Sequence, residues 1–331
     1  LATSQVECVN KSSSLLDINT GVPQGSVLGP VLFNIYVNDI VRVSENVEFS
    51  VYADDTSLFL QSDDVSNLSI LAHDALEKLQ KRSEVNSFVI NAAKTKAVLF
   101  KPTNKKIYSS LDLQLGEEEI GIVQDVKILG VTFSEDLNCD LHVYDVAKKL
   151  ARACGVLSKF QDIVSPKGKL LIYNALFHSH INYCTLVCEN TTQKKKLKLI
   201  RLQKKAIRHI AGVPYDAHTS TLFTTYNVLQ VEQLYNFNLF AKYKHGLKSK
   251  TNFLTQCQLK ESPATPYNIG KRDTWEIPFS RKNYGLKSLK HIMPNFLNRL
   301  NNQGITPDTL TNKQWKEYLI SNPRESGNMI N

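Results

Sequence analysis

The sequence predicts an α+β chain in which short strands and helices alternate at first and helices dominate later. Three observations predict it. Apolar and polar residues alternate between 47 and 60, apolar residues recur at helical spacing from 141 to 247, and proline punctuates a polar stretch after 250. The period changes near 134–138, so the expected regions are 1–135, a helical 136–250, and a loosely organised tail with short helices at 251–331.

Residues 1–20 have little periodicity and close on Leu15, Leu16 and Ile18, a strand-like run. GVPQGSVLGP (21–30) is rich in turn formers. Ser26 is placed to cap a helix whose apolar positions Leu28, Val31, Leu32, Ile35 and Tyr36 share one face, which predicts an amphipathic helix packed on a core. In VEFSVYADDTSLFL (47–60), Val47, Phe49 and Val51 alternate ahead of Tyr52-Ala53-Asp54-Asp55, and a second β-prone run follows. A tight hairpin with two carboxylates at its tip is the simplest outcome. A helix fits 67–84, with Leu68, Leu71, Ala72, Ala75, Leu76 and Leu79 on one face and Lys78, Lys81 and Arg82 on the other. Strands are expected at 97–100, 111–115 and 126–133. Helical periods then cover 141–160, 167–188, 193–211 and 230–247, and a last one covers 312–320.

Lysine and arginine number 40 against 31 acidic residues, a net charge of +9 that favours a polyanionic partner, nucleic acid first and an anionic membrane surface second. No apolar run reaches the roughly 18–20 residues that a membrane span needs. The six cysteines are scattered and the polar N-terminus lacks a signal-peptide pattern, which together read as a reduced intracellular protein, nuclear or cytoplasmic. Residue 1 is Leu and the only methionines are Met293 and Met329, so the chain is expected to be a piece of a longer product.

Adjacent carboxylates repel, and neither Asp54 nor Asp55 can be buried unpaired. A divalent cation such as Mg2+ suits their hard oxygens. Two such ions ~3.5–4 Å apart can activate a hydroxyl and stabilise a leaving phosphate oxygen. On its own the dipeptide is better explained as a solvated turn, as at Asp63-Asp64. His178, His180, Cys184 and Cys188 have ligand-like identities, but zinc sites seldom take every ligand from one helix, and the segment reads as a core helix. Lys194, Lys195, Lys196, Lys198, Arg201, Lys204, Lys205 and Arg208 alternate with Leu197, Ile200, Ile207 and Ile210 in a strongly basic amphipathic helix. It is suited to phosphate-backbone contact, with a solvated helix face as the plainer explanation.

GVPQGSVLGP (21–30), YADD (52–55), NAAKTK (91–96) and ILGV (128–131), in this order and at these gaps, resemble the reverse transcriptase of non-LTR (LINE-like) retrotransposons, whose palm motifs B, C, D and E they look like. LIYNALFHSHINYC (171–184), LQKKAIRHIAG (202–212) and GLKSLKHIMPNFLNRL (285–300) are similar to the region downstream of the polymerase in such elements. The resemblance implies a partial palm followed by a helical thumb and connection region. It implies an RNA-directed DNA polymerase acting through two Mg2+ ions on template RNA, a DNA primer and deoxynucleoside triphosphates, with no membrane. Carried over by position, Asp54 and Asp55 hold the metals and Gln24 and Gly25 border the nascent base pair. Tyr52 lies beside the primer end, Lys94 meets the departing pyrophosphate, and Leu129 and Gly130 belong to the primer grip. Lys194, Lys195, Lys198, Arg201, Lys204, Lys205 and Arg208 form the nucleic-acid face.

The same pattern asks for a third carboxylate some tens of residues before Gly21, and neither Glu7 nor Asp17 has the setting for it. Fingers and an upstream endonuclease are expected outside this chain. A tryptophan expected around Arg82 and Ser83 is also missing. The 331 residues alone are therefore expected to be inactive. The alternative is a non-catalytic retroelement remnant that keeps only nucleic-acid binding.

Overall fold

Val47, Phe49 and Val51 turn towards the interior while Glu48 and Ser50 face out, which is the alternation a strand buried on one side demands. The computed structural model describes residues 2–4, 7–8, 11–14, 16–18, 21, 25–45, 47–102, 104–105, 111–183, 185–187, 191–249, 252–262, 273–281 and 283–323. The chain forms two compact units, Leu1–Gln124 and Asp125–Asn331.

In the first unit β1 (Ala2–Ser4), β2 (Glu7–Cys8), β3 (Lys11–Ser12) and β4 (Leu16–Ile18) pair antiparallel, β1 with β4 and β2 with β3. Helix α1 (Gly29–Val37) follows; its N-cap is Leu28, without a side-chain cap, and the Ser26 expected there sits two residues earlier, its Oγ accepting the Gly29 N–H at 2.9 Å. Strands β5 (Glu48–Tyr52) and β6 (Asp55–Phe59) form the expected hairpin, Tyr52 opposite Asp55. Helix α2 (Val65–Val85) starts where Asp64 accepts the Asn67 N–H, a side-chain cap for an otherwise unpaired donor. It buries Ala72, Ala75, Leu76 and Leu79 and leaves Lys78 and Lys81 exposed in ion pairs with Asp74 and Glu77. Ser83, near the missing tryptophan, is buried and donates to Gln80 O, while Arg82 pairs with Asp39.

The strands expected at 97–100 and 111–115 shrink to short ladders. β7 (Lys96–Ala97) pairs parallel with β10 (Gly121–Ile122), and β8 (Gln114–Leu115) pairs antiparallel with β9 (Glu118–Glu119). Among the described residues every sheet has two strands. The core here is small: Ala72, Leu76, Ala92, Leu113, Leu115 and Ile120, with Leu60, Ile90 and Ala97 packed around it.

The apolar face of α1 corrects an expectation. Leu28, Val31, Leu32, Ile35 and Tyr36 are exposed, Ile35 at 69%, and only Tyr36 finds an aromatic neighbour, the edge of Phe88 at 6.2 Å. The helical spacing is real, but periodicity states which side chains share a face and not whether anything covers it.

The second unit opens with a hairpin in place of the single strand expected at 126–133: β11 (Asp125–Ile128) and β12 (Val131–Ser134). Helices α3 (Asp140–Lys159) and α4 (Pro166–Tyr173) follow, then a π-helical turn at Asn174–His178 and α5 (Ser179–Asn182). The helix expected to run to 188 stops at Asn182, where Tyr183 turns extended. Next come α6 (Gln193–Ala211), α7 (Ser220–Thr225), α8 (Val231–Ser249), α9 (Asn252–Cys257), α10 (Asn283–Leu286), α11 (Leu289–Asn302) and α12 (Asn312–Ser321).

One continuous core joins Leu150 and Leu157 of α3 to Ile207 and Ile210 of α6 and Phe240 of α8. The stretch expected as a loose tail contributes to it. Trp315 of α12 is fully buried, stacked on Phe240 at 5.1 Å and edge-on to Phe296 of α11 at 6.2 Å. Aromatic rings bury more area per residue than other side chains, so two short helices can dock through one tryptophan.

Helices α3 and α6 run side by side in the same direction. At their starts the Asp140 carboxylate accepts from Thr191 Oγ1, Thr192 N–H and Lys195 Nζ, at 2.7, 3.1 and 2.9 Å. At their ends His209 Nδ1 lies 2.9 Å from Gln161 Oε1, and the buried Lys169 ammonium donates to both Gln161 O and His209 O at 3.1 Å. An acid at two helix N-termini and a cation at two C-termini oppose both macrodipoles favourably.

Candidate active site and nucleic-acid face

The β5–β6 pairing puts only Ala53 and Asp54 in the turn, with Tyr52 and Asp55 as the last pair of the ladder. Ala53 carries the reversal with a φ of 51°. Tyr52, Asp54 and Asp55 are all exposed, Tyr52 at 66%. Two adjacent carboxylates at a hairpin reversal, open to solvent, make a donor set suited to a hard divalent cation. Among the described residues no group of three or more His, Cys, Asp or Glu side chains gathers as a metal site.

Lys94 is exposed on a 3-10 turn, Ala92–Lys94, whose start is capped by Asn91 Oδ1 accepting the Lys94 N–H at 3.0 Å. Ala92 of that turn and Leu60, just after β6, pack on the same small core, so the hairpin base and the Lys94 turn share one anchor. Gly25 has a φ of +84° with open space where a Cβ would stand, a conformation that suits glycine and a position where another backbone can approach. Gln24 lies outside the described residues.

Leu129 and Gly130 belong to the second unit, as the two-residue turn between β11 and β12. Both have positive φ, 47° and 82°, the requirement of a type I′ hairpin turn. Sequence reading missed what holds that turn: Tyr183 Oη donates to Leu129 O at 2.5 Å, and its ring edge lies 3.7 Å from where a Gly130 Cβ would be. No local signal points from residue 183 to residue 129.

The basic helix forms as expected, with a different buried stripe. Leu199, Gln203, Ala206, Ile207 and Ile210 face the core, whereas Leu197, expected there, is exposed. Gln203 fits because its amide is fully used, donating to Tyr173 Oη and Leu229 O and accepting from Val231 N–H. The cations divide into two sets. Lys195 binds Asp140, and Arg208 Nε donates to Ala217 O while its guanidinium lies over Tyr215. Lys194, Arg201, Lys204 and Lys205 are exposed, and among the described residues none forms an ion pair. Lys198 is exposed over the Tyr144 ring of α3 at 5.2 Å, with Lys148 over the same ring at 4.2 Å. The spacing of Tyr144 and Lys148, one helical turn apart, was the readable signal for that contact.

Burial tends to raise the Asp140 carboxyl, but its bonds from Lys195, Thr191 and Thr192 outweigh this and hold it below the usual carboxylate range. Burial, with Lys205 and Lys169 nearby, pushes His209 down. His178 is likewise pushed down by burial and by Lys316, and His180 is half-buried; Cys184 and Cys188 lie outside the described residues. No helix among the described residues is long and apolar enough to cross a membrane.

Residues 3–133 match the reverse transcriptase (RNA-dependent DNA polymerase) family. The chain is 26% identical over 267 residues to the RNA-directed DNA polymerase from mobile element jockey of Drosophila melanogaster, covering 77% of this chain and 28% of that protein. Its counterpart in Drosophila funebris is 25% identical over 255 residues, 74% of this chain and 27% of the relative. The probable RNA-directed DNA polymerase from transposon X-element of Drosophila melanogaster is 23% identical over 274 residues, 79% and 29% of the two chains. This chain thus spans under a third of the length of these relatives. No solved structure matches it. The chain is thus similar to the reverse transcriptases of non-LTR, LINE-like retrotransposons, with the match to the reverse transcriptase family at residues 3–133.

Proposed function

We propose that this chain is the later part of an RNA-directed DNA polymerase that copies template RNA onto a DNA primer, with Asp54 and Asp55 holding Mg2+. The observation that carries the reading is the exposed Tyr52-Ala53-Asp54-Asp55 reversal, lying inside the residues that match the family. When bound, the metal supplies Lewis-acid activation of the primer hydroxyl and charge neutralisation at the phosphate under attack. The chain's own residues do the rest. Gly25 lets the backbone lie close to the nascent base pair beside Gln24, and Tyr52 lines the primer end. Lys94 places a positive charge where pyrophosphate departs, and Leu129 and Gly130 steady the primer strand. Lys194, Arg201, Lys204 and Lys205 engage the nucleic-acid backbone, which makes binding independent of sequence and sensitive to salt.

Two carboxylates are part of a metal-ligand set, so the 331-residue polypeptide tested alone is expected to extend a primer at background level. The full translation product that contains it is expected to extend an RNA-templated primer in Mg2+. Asp54→Asn should lower that rate by several orders of magnitude while leaving hybrid binding intact. The second reading, a remnant that only binds nucleic acid, is favoured by the exposed cations of α6. Salt-dependent binding without extension by the full product would establish it in place of the first.

A further inference from the structure

We infer that Lys148 and Lys198, gathered over the ring of Tyr144, form a paired grip for backbone phosphates that carries the nucleic-acid face from α6 onto α3. This rests on the reading above that α6 faces a nucleic acid. The two helices are tied at both ends, by Asp140 to Thr191, Thr192 and Lys195 at one and by Lys169 and the Gln161–His209 contact at the other. Those ties set the register that brings Tyr144, one turn beyond Asp140, beside Lys198, one turn beyond Lys195. Lys148, a turn further along α3, reaches the same ring.

The ring draws two ammonium groups from different helices to one exposed place, against their mutual repulsion. An anion between them relieves that repulsion, and holding both side chains beforehand lowers the entropy cost of binding one. Asp145 Oδ1 lies 3.5 Å from Lys148 Nζ, an exposed pair of the weakly held kind that a phosphate can displace. Lys149 and Arg152 of α3 and Lys194 and Arg201 of α6 are exposed too, so both helices carry further positive charge open to solvent. A bilayer is the poorer partner because Leu199, Ala206, Ile207 and Ile210 are buried in the core, leaving α6 almost no apolar face to insert. Ammonium groups read charge and not base edges, so the ligand is a nucleic-acid backbone of any sequence.

The test is the binding of a labelled RNA–DNA hybrid to the 331-residue chain across a salt series. Lys148→Gln and Lys198→Gln should each flatten the slope of log affinity against log salt by about 0.9, and Lys290→Gln on α11 should leave it unchanged. Tyr144→Leu, with both lysines kept, should weaken binding severalfold, and Tyr144→Phe should restore it. Asp145→Asn should tighten it. If Tyr144→Leu alters the thermal melt, the two lysine variants and Tyr144→Phe decide the matter. Loss in Arg201→Gln with none in Lys148→Gln, Lys198→Gln or Tyr144→Leu overturns the grip alone. Absence of salt-dependent binding by the unsubstituted chain overturns the α6 reading together with the grip. Equal losses on vesicles of phosphatidylserine and phosphatidylcholine in equal parts overturn nucleic acid as the ligand.

Discussion

Ala53 stands at the first of the two turn residues of the β5–β6 hairpin with a φ of 51°, where hairpins of this length favour glycine. A left-handed alanine costs about 1–2 kcal/mol, against roughly 0.4–1 kcal/mol of extra unfolded-chain freedom that a glycine there would bring. Relief outweighs freedom, so Ala53→Gly is expected to raise stability by up to about 1 kcal/mol in denaturant unfolding. A loss of stability would mean the turn is not strained. The strain sits one residue from Asp54, as strain often does where a backbone must present a functional group. From the sequence alone Ala53 was legible as a turn residue and Tyr52, Asp54 and Asp55 as its neighbours, because turn chemistry acts within four residues. Tyr183, which bonds to Leu129 O from another element, was not legible for the opposite reason.

Helices α3 and α6 show how an element's role depends on its partner. Both are written plainly in the helical spacing of their apolar residues, and their limits, Asp140–Lys159 and Gln193–Ala211, fall within a residue or so of expectation. What spacing does not reveal is that Lys169 on α4, an ordinary lysine in the sequence, is buried and joins the ends of both. Lys169→Met keeps the aliphatic stem and leaves two carbonyl oxygens without a donor. The expected cost is about 1–3 kcal/mol, read as a lower urea midpoint with an unchanged m-value. An unchanged midpoint would show that the tie contributes nothing net. Helix α1 is the converse case: its amphipathic face is legible, yet Leu28, Val31, Leu32 and Ile35 are exposed, because the covering surface must come from outside the helix.

For the whole molecule, acid works against the fold in two stages. His142, His178 and His209 are each pushed below their ordinary value of 6.5, with burial as the first cause in all three. The unfolded chain therefore takes up protons that the folded one refuses, so stability is complete above about pH 6.5 and falls as pH drops below it. Asp140 is held below its ordinary value of 3.8, so its contribution is present above that pH and is lost as pH falls through the folded value. Thermal melts should shift down between about pH 7 and 5 and again below about pH 4, with His209→Gln reducing the first shift and Asp140→Asn the second. A melting temperature that is flat across the first window would show that these histidines stay solvated. By itself the sequence determined helices α2, α3, α6, α8 and α12, the carboxylate hairpin, the net positive charge and the family resemblance, because each depends on period, turn chemistry or composition over a short span. Only the tertiary structure decided which lysines are free for a partner and which tie helices together, that Trp315 docks the last helices into the core, and that α1 is left uncovered. Those outcomes depend on neighbours brought from distant segments, where burial and pairing set the fate of each side chain.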